Sequence, residues 1–268
     1  MSIKSNNQFL AVKYSLTAPK LWSSFLVLFC LVNIFILLFY FTNRLIMRII
    51  TANTNPIHFQ IEHKCRILFD SISINKKDDL NLDVLQEVKP DFIFFLHWSS
   101  IIPKAVHEKF NCIVFHMTDL PYGRGGSPLQ NLIIRGFEET VISALKVQDG
   151  IDTGPILLKK RLSLAGTAEE IFLRAGKKMM EMIVEIIQEN PKPIRQQGDV
   201  VIFKRRKPEE SNIQLIKEKE KLYDFIRMLD AEGYPRAFIE TEFFKFEFSR
   251  ASLKTDSITA EVKIIEKS

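Results

Sequence analysis

His116-Met117-Thr118-Asp119-Leu120-Pro121-Tyr122-Gly123-Arg124-Gly125-Gly126-Ser127-Pro128, followed downstream by Asp149-Gly150-Ile151-Asp152-Thr153-Gly154, decides how this chain is read. Just upstream, Phe92-Ile93-Phe94-Phe95-Leu96 and Cys112-Ile113-Val114-Phe115 are short apolar runs bounded by turn signals. That is the pattern of strands buried in a parallel sheet. His116 stands at the carboxyl end of the second run. Ligands of open α/β sheets bind outside the carboxyl ends of strands. His116, and Asp152 at the end of a returning strand, are therefore expected to meet at one site.

Working outward, residues 128–136 read as a helix, 140–147 and 156–164 as strands, and 168–188 as a long helix. Thr167 is its N-cap, with Glu169 and Glu170 in the first turn. Upstream, 51–56 reads as a polar, turn-rich break, 65–72 as a strand, 80–88 as an amphipathic helix and 103–110 as a short helix. Strands alternating with helices predict an α/β fold with a doubly wound parallel sheet. Past Gly198 the composition shifts to a charged stretch, Lys204-Arg205-Arg206-Lys207-Pro208-Glu209-Glu210-Ser211. A helix near 216–229 and a strand-like tail, 238–265, make a small β-rich C-terminal module. The expected division is an N-terminal segment (1–50), a catalytic domain (57–198), a linker (199–215) and the C-terminal module (216–268).

The chain of 268 residues carries a formal charge of +5, which permits a phosphate-bearing substrate without itself arguing for nucleic acid. Cys30, Cys65 and Cys112 are scattered and odd in number, so neither a disulfide framework nor a zinc site is expected. The His58/His63 spacing is poor for a metal, and no metal is expected. Residues 21–41 are uncharged and about long enough to cross a bilayer, with Trp22 and Tyr40 where interfacial aromatics lie. They read either as a membrane anchor for a cytoplasmic catalytic domain or as an inserted or mis-spliced segment.

A carboxylate beside an imidazole orients the ring and favours its charged form, and such a pair can take a proton from an attacking amine during acyl transfer. Gly123, Gly125 and Gly126 would let the backbone approach a ligand closely, and Arg124 could meet a phosphate. Alone, a histidine after a buried strand is usually structural and Asp-Thr-Gly is a common turn. The whole arrangement of strand, His, glycine-rich loop, helix, strand and Asp is far more specific.

Over about residues 65–265 the chain resembles the 10-formyltetrahydrofolate-dependent formyltransferases. Their pattern is Asn-x-His-Pro-Ser-Leu-Leu-Pro-x-x-Arg-Gly-x-x-Pro with a distant Asp-x-Gly. His116, Thr118, Leu120, Pro121, Arg124, Gly125 and Pro128 fall in register with it, and so does Asp152. The resemblance implies a Rossmann-like core, formyl transfer from 10-formyltetrahydrofolate to a primary amine, and His116 and Asp152 as catalytic residues. It implies folate contacts from Ile101, Ile102, Val147, Gln148, Asp149, Gly150 and Ile151, and acceptor contacts from Thr118, Arg124, Gly125, Gly126 and Ser127. It also implies a first strand, for which 9–16 is the candidate. The family's third catalytic residue, Asn, is replaced here by Val114, which cannot donate a hydrogen bond. The similarity of 205–211 to the linker of sugar-nucleotide formyltransferases makes an amino-sugar nucleotide the expected acceptor. Methionyl-tRNA is the alternative, and an inactive folate-binding relative is a third reading.

Overall fold

The computed structural model describes residues 47–55 and 59–267. Candidate strand 9–16 and the apolar stretch 21–41 lie outside the described residues. Among the described residues no helix is long and apolar enough to cross a membrane.

In chain order the main sheet takes β1 (Arg48–Asn53), β2 (Asp70–Ile74), β3 (Phe92–His97), β4 (Cys112–His116), β6 (Glu139–Lys146) and β7 (Ile156–Ser163), a two-residue strand β5 (Arg124–Gly125) lying between β4 and β6. Its spatial order is β2-β1-β3-β4-β6-β7. The first four strands are parallel, whereas β6 runs antiparallel to β4 and β7 antiparallel to β6. The expected doubly wound parallel sheet is thus present over four strands and turns antiparallel at one edge, where a β6–β7 hairpin replaces a helical crossover. The nine residues between β6 and β7 are too few for a parallel return.

The sheet is covered on both faces. Along β3, Phe94 and Leu96 join one buried cluster while Ile93 and Phe95 join another, as a period of two requires. The first cluster packs under α1 (Phe59–Leu68) and α5 (Ala168–Glu189), and the second takes in Leu85 of α2 (Leu82–Val88) and Val106 of α3 (Lys104–His107). The long helix α5 begins where the sequence says: Thr167 accepts from the Glu170 N–H, and Glu170 reaches back to the Thr167 N–H, forming a capping box.

Two upstream expectations fail. Residues 65–72 are not a strand: α1 runs to Leu68 and β2 starts at Asp70. Cys65-Arg66-Ile67-Leu68-Phe69 looks like an apolar run, but Ile61 and Cys65 are buried four apart on one helix face. Nor is 51–56 simply a turn, because its first half completes β1, which sits between β2 and β3. Thr51 and Asn53 are fully buried there, and their polarity disguised the strand. The Asn53 amide donates to the Asn55 carbonyl and to Glu62 Oε1, which makes its burial tolerable.

Of the two remaining α-helices among the described residues, α4 (Pro128–Ile134) follows the glycine-rich loop, and α6 (Lys219–Arg227) packs on the C-terminal sheet of β9 (Ala237–Glu240), β10 (Phe244–Leu253) and β11 (Ile258–Glu266). Residues 199–215 include β8 (Ile202–Phe203), paired in parallel with β5, and Phe203 is buried in the core. The C-terminal module is tied to the core by Gln130 on the Met228 carbonyl and by the Asp230 carbonyl, which accepts from the Glu169 N–H.

Candidate functional site

His116 is the last residue of β4, where it pairs with Ser143 of β6 before the chain turns away. Its Nε2 lies 2.8 Å from the Gly123 carbonyl. A carbonyl only accepts, so Nε2 carries a hydrogen and donates. Nδ1 lies 3.5 Å from Asp152 Oδ2. The same carboxylate oxygen accepts the Gly125 N–H at 2.9 Å. Strand end, glycine-rich loop and Asp152 are thereby joined at one point, with both side chains largely buried.

Asp152 does not stand at a strand end. It lies in the β6–β7 loop, six residues beyond Lys146, with φ +53, in the left-handed region. Because β6 is antiparallel to β4, its carboxyl end lies beside Ile113 at the start of β4, so the loop must fold back along β4 to reach His116.

His116 and Asp152 line a cleft of about 1130 Å³, above the roughly 300–1,000 Å³ typical of one small ligand. Ile101, Ile102 and Val147 to Ile151 form one wall; Arg124, Gly125, Gly126 and Ser127 form part of the other. Thr118 is not on the cleft. It is fully buried, its hydroxyl donating to the Gly123 carbonyl and its carbonyl accepting from Ser143. Arg124 turns Nε and Nη2 onto Gln196 Oε1, so its guanidinium is already engaged. Val114 faces the cleft beside Ile102 and Val147.

The glycine-rich wall is laced to residues 201–206. The Val201 carbonyl accepts the N–H groups of Gly123 and Arg124, both at 3.0 Å, and the Phe203 carbonyl accepts that of Gly126. Asn131 donates to the Lys204 carbonyl, and the Arg206 N–H donates to Ser127 Oγ. Gly125 has φ +105, and a Cβ there would overlap the Phe203 carbonyl oxygen. Glycine is needed at this position for both reasons.

Sequence reasoning missed several lining residues. His97 ends β3 as His116 ends β4, so the strand-end rule could have flagged it. Its Nε2 lies 3.1 Å from the Tyr234 hydroxyl, and Tyr234 stacks on Phe172 with ring centres 5.3 Å apart. Burial, then the charge of Arg205, lowers the His97 pKa to about 4, and burial pushes that of Tyr234 up. Arg205 and Arg206 also line the cleft. Their proximity to it depends on β8 pairing, which no local pattern encodes. Cys65 and Cys112 are buried free thiols, each raised to about 12 by burial. Among the described residues no cluster of His, Cys, Asp and Glu could hold a metal.

Residues 50–187 match the family model described as formyl transferase, and residues 208–265 match that of the methionyl-tRNA formyltransferase C-terminal domain. Methionyl-tRNA formyltransferase of Rickettsia massiliae is 32% identical over 155 residues, 56% of this chain and 50% of that protein. The chain thus spans about half the length of the curated relatives it matches. A solved methionyl-tRNA formyltransferase from Clostridium thermocellum is 50% identical, with a TM-score of 0.80 over 82% of this chain and 100% of that one. HypX from Aquifex aeolicus in complex with tetrahydrofolic acid shares the fold at 16% identity, with a TM-score of 0.67 over 76% of this chain and 38% of that one. The chain belongs to the formyl transferase family.

Proposed function

We propose that this protein moves a formyl group from 10-formyltetrahydrofolate to the amino group of methionyl-tRNA. The observation that carries the reading is the His116–Asp152 pair, at 3.5 Å, lining a cleft between two unlike walls. On the apolar wall Ile101 is 82% exposed and Ile151 63% exposed, surface that a flat ring system would cover. Ile101, Ile102 and Val147 to Ile151 would hold the folate. When bound, it would supply the formyl carbon; the acceptor amine would add to that carbon, and the folate nitrogen N10 would leave on receiving the proton that the amine sheds.

The chain's own residues then manage charge and proton. The negative charge that gathers on the formyl oxygen needs a donor; Nε2 of His116 is held by the Gly123 carbonyl, so the hydrogen the ring offers is one taken up at Nδ1. The proton shed by the amine passes to the His116–Asp152 pair, since a proton arriving at Nδ1 is met by the carboxylate. The Gly123 carbonyl and the Gly125 N–H hold the two side chains in place throughout.

The amino-sugar nucleotide, favoured by the linker sequence, gives way to methionyl-tRNA as acceptor. The 50% identity to the Clostridium thermocellum enzyme along that whole chain, and the C-terminal match, support the change. Charge distribution agrees with it. Lys159 pairs with Asp119 and Lys160 with Glu185, which neutralises that basic cluster, while Arg205, Arg206 and Lys207 line the cleft.

Calorimetry with the stable analogue 5-formyltetrahydrofolate, followed by transfer assays with both acceptors, tests the reading. Micromolar binding and formylated methionyl-tRNA, with acceptor affinity that falls steeply with salt, are expected. A folded protein that binds no folate would sink it. Val114 favours a second reading, a weakened or inactive enzyme. If Val114→Asn raises kcat, on the order of the hundredfold that one oxyanion donor is worth, that reading holds.

A further inference from the structure

Gln196 stands in the irregular stretch 190–198, two residues past Ile194, whose backbone exchanges two hydrogen bonds with Ile156 at the start of β7. Its carboxamide makes four bonds. Nε2 donates to the carbonyls of Asp152 and Gly154, each at 2.8 Å. Oε1 accepts from Arg124 Nε at 3.1 Å and Nη2 at 2.7 Å. Two N–H groups and two lone pairs are the whole capacity of a carboxamide. The orientation is fixed by its partners, because carbonyls only accept and a guanidinium only donates.

The partners matter for the chemistry. Both carbonyls belong to the loop that carries Asp152, and Arg124 adjoins Gly125, whose N–H holds the Asp152 carboxylate. Gln196 therefore closes a ring running from the Asp152 backbone through Arg124 and Gly125 to the Asp152 side chain. Asp152 holds φ +53, a conformation that costs an L residue free energy unless its surroundings impose it. Bonds at its own carbonyl and at Gly154 supply that constraint.

We propose that Gln196 is a positioning residue, setting the Asp152 carboxylate against His116 and turning the Arg124 guanidinium inward. The inference rests on the formyl-transfer reading for its effect on rate, though not for its effect on His116. A glutamate at 196 would still accept from Arg124 but would aim oxygen at two carbonyl oxygens, so Gln196→Glu breaks the Asp152 side of the ring selectively.

The test uses the full chain as wild type, Gln196→Glu, Gln196→Ala and Asp152→Asn, with melting temperature, 5-formyltetrahydrofolate affinity, kcat and the His116 ring ¹⁵N signals as readouts. The Gln196 variants are expected to fold, to bind the analogue within about threefold of wild type, and to lose on the order of ten- to a hundredfold in kcat. Their His116 signals are expected to move as Asp152→Asn moves them. Unchanged His116 signals and kcat in a folded Gln196→Glu protein overturn the proposal. If Gln196→Ala does not fold, Gln196→Glu, nearly isosteric, decides alone. If the wild type transfers no formyl group yet the His116 signals shift in Gln196→Glu, the positioning role stands and the formyl-transfer reading falls.

Discussion

The two walls of the cleft are built in opposite ways. The glycine-rich wall, 122–127, is held by backbone bonds from residues about eighty positions away in sequence, at Val201, Phe203 and Arg206. The wall at 147–153 is held partly by short-range bonds of its own: Thr153 Oγ1 donates to the Asp149 carbonyl, and Gln148 to the Thr153 carbonyl. It is tied outward by Asp149, which pairs with Lys104 and lies 3.7 Å from His107 of α3, and by the Val147 N–H, which donates to the Cys112 carbonyl. Dense long-range bonding resists local opening, whereas a self-contained exposed loop opens at little cost. The glycine-rich wall beside His116 is thus the more densely laced to distant backbone, and the wall at 147–151 the less. Asp152 belongs to the open wall by sequence but is clamped to the laced wall through Gly125 and Gln196.

The strongest way to break this arrangement is at the junction. His116→Ala should lower kcat by about 10²–10⁴, the usual worth of a positioned acid–base group, with folate affinity nearly unchanged by calorimetry. Intact transfer in that variant would remove His116 from the mechanism. Next comes the lacing. Gly125→Ala places a Cβ against the Phe203 carbonyl at a positive φ and should cost about 2–4 kcal/mol in denaturant unfolding. An equal loss from Gly136→Ala, where a Cβ would meet nothing within 4 Å, would mean that positive φ alone and not the lacing is responsible.

The smallest effect sharpens the comparison at the back of the cleft. His97 binds protons more weakly folded, near pH 4, than unfolded, near 6.5. Between those values the unfolded chain holds more protons, so stability rises with pH across that window and is lost as pH falls through it. Melting temperature measured from pH 7 to pH 4 should decline, and His97→Gln, which keeps a partner for Tyr234 without titrating, should flatten the decline. Other acid-labile groups would leave the slope unchanged.

How far the sequence reaches can be judged residue by residue. His116 at a strand end, the Thr167 cap and the glycine-rich loop are local signals: burial runs, capping chemistry and φ-permissive residues act over a few positions, and each was legible. Strand β1 was not, because Thr51 and Asn53 are polar and their burial depends on partners elsewhere, Ser73 for Thr51 and Glu62 and Asn55 for Asn53. The β6–β7 hairpin was not, because strand direction is set by loop length and by neighbours rather than by composition. Gln196 was invisible, since no spacing relates it to Arg124 or Asp152. The sequence by itself determined the candidates, His116, Asp152 and the glycine-rich loop between them. Only the tertiary structure decided how they meet, because the bonds that orient Asp152 and lace the glycine loop each have a backbone atom at one end at least and span residues far apart in the chain, and backbone atoms carry no residue code.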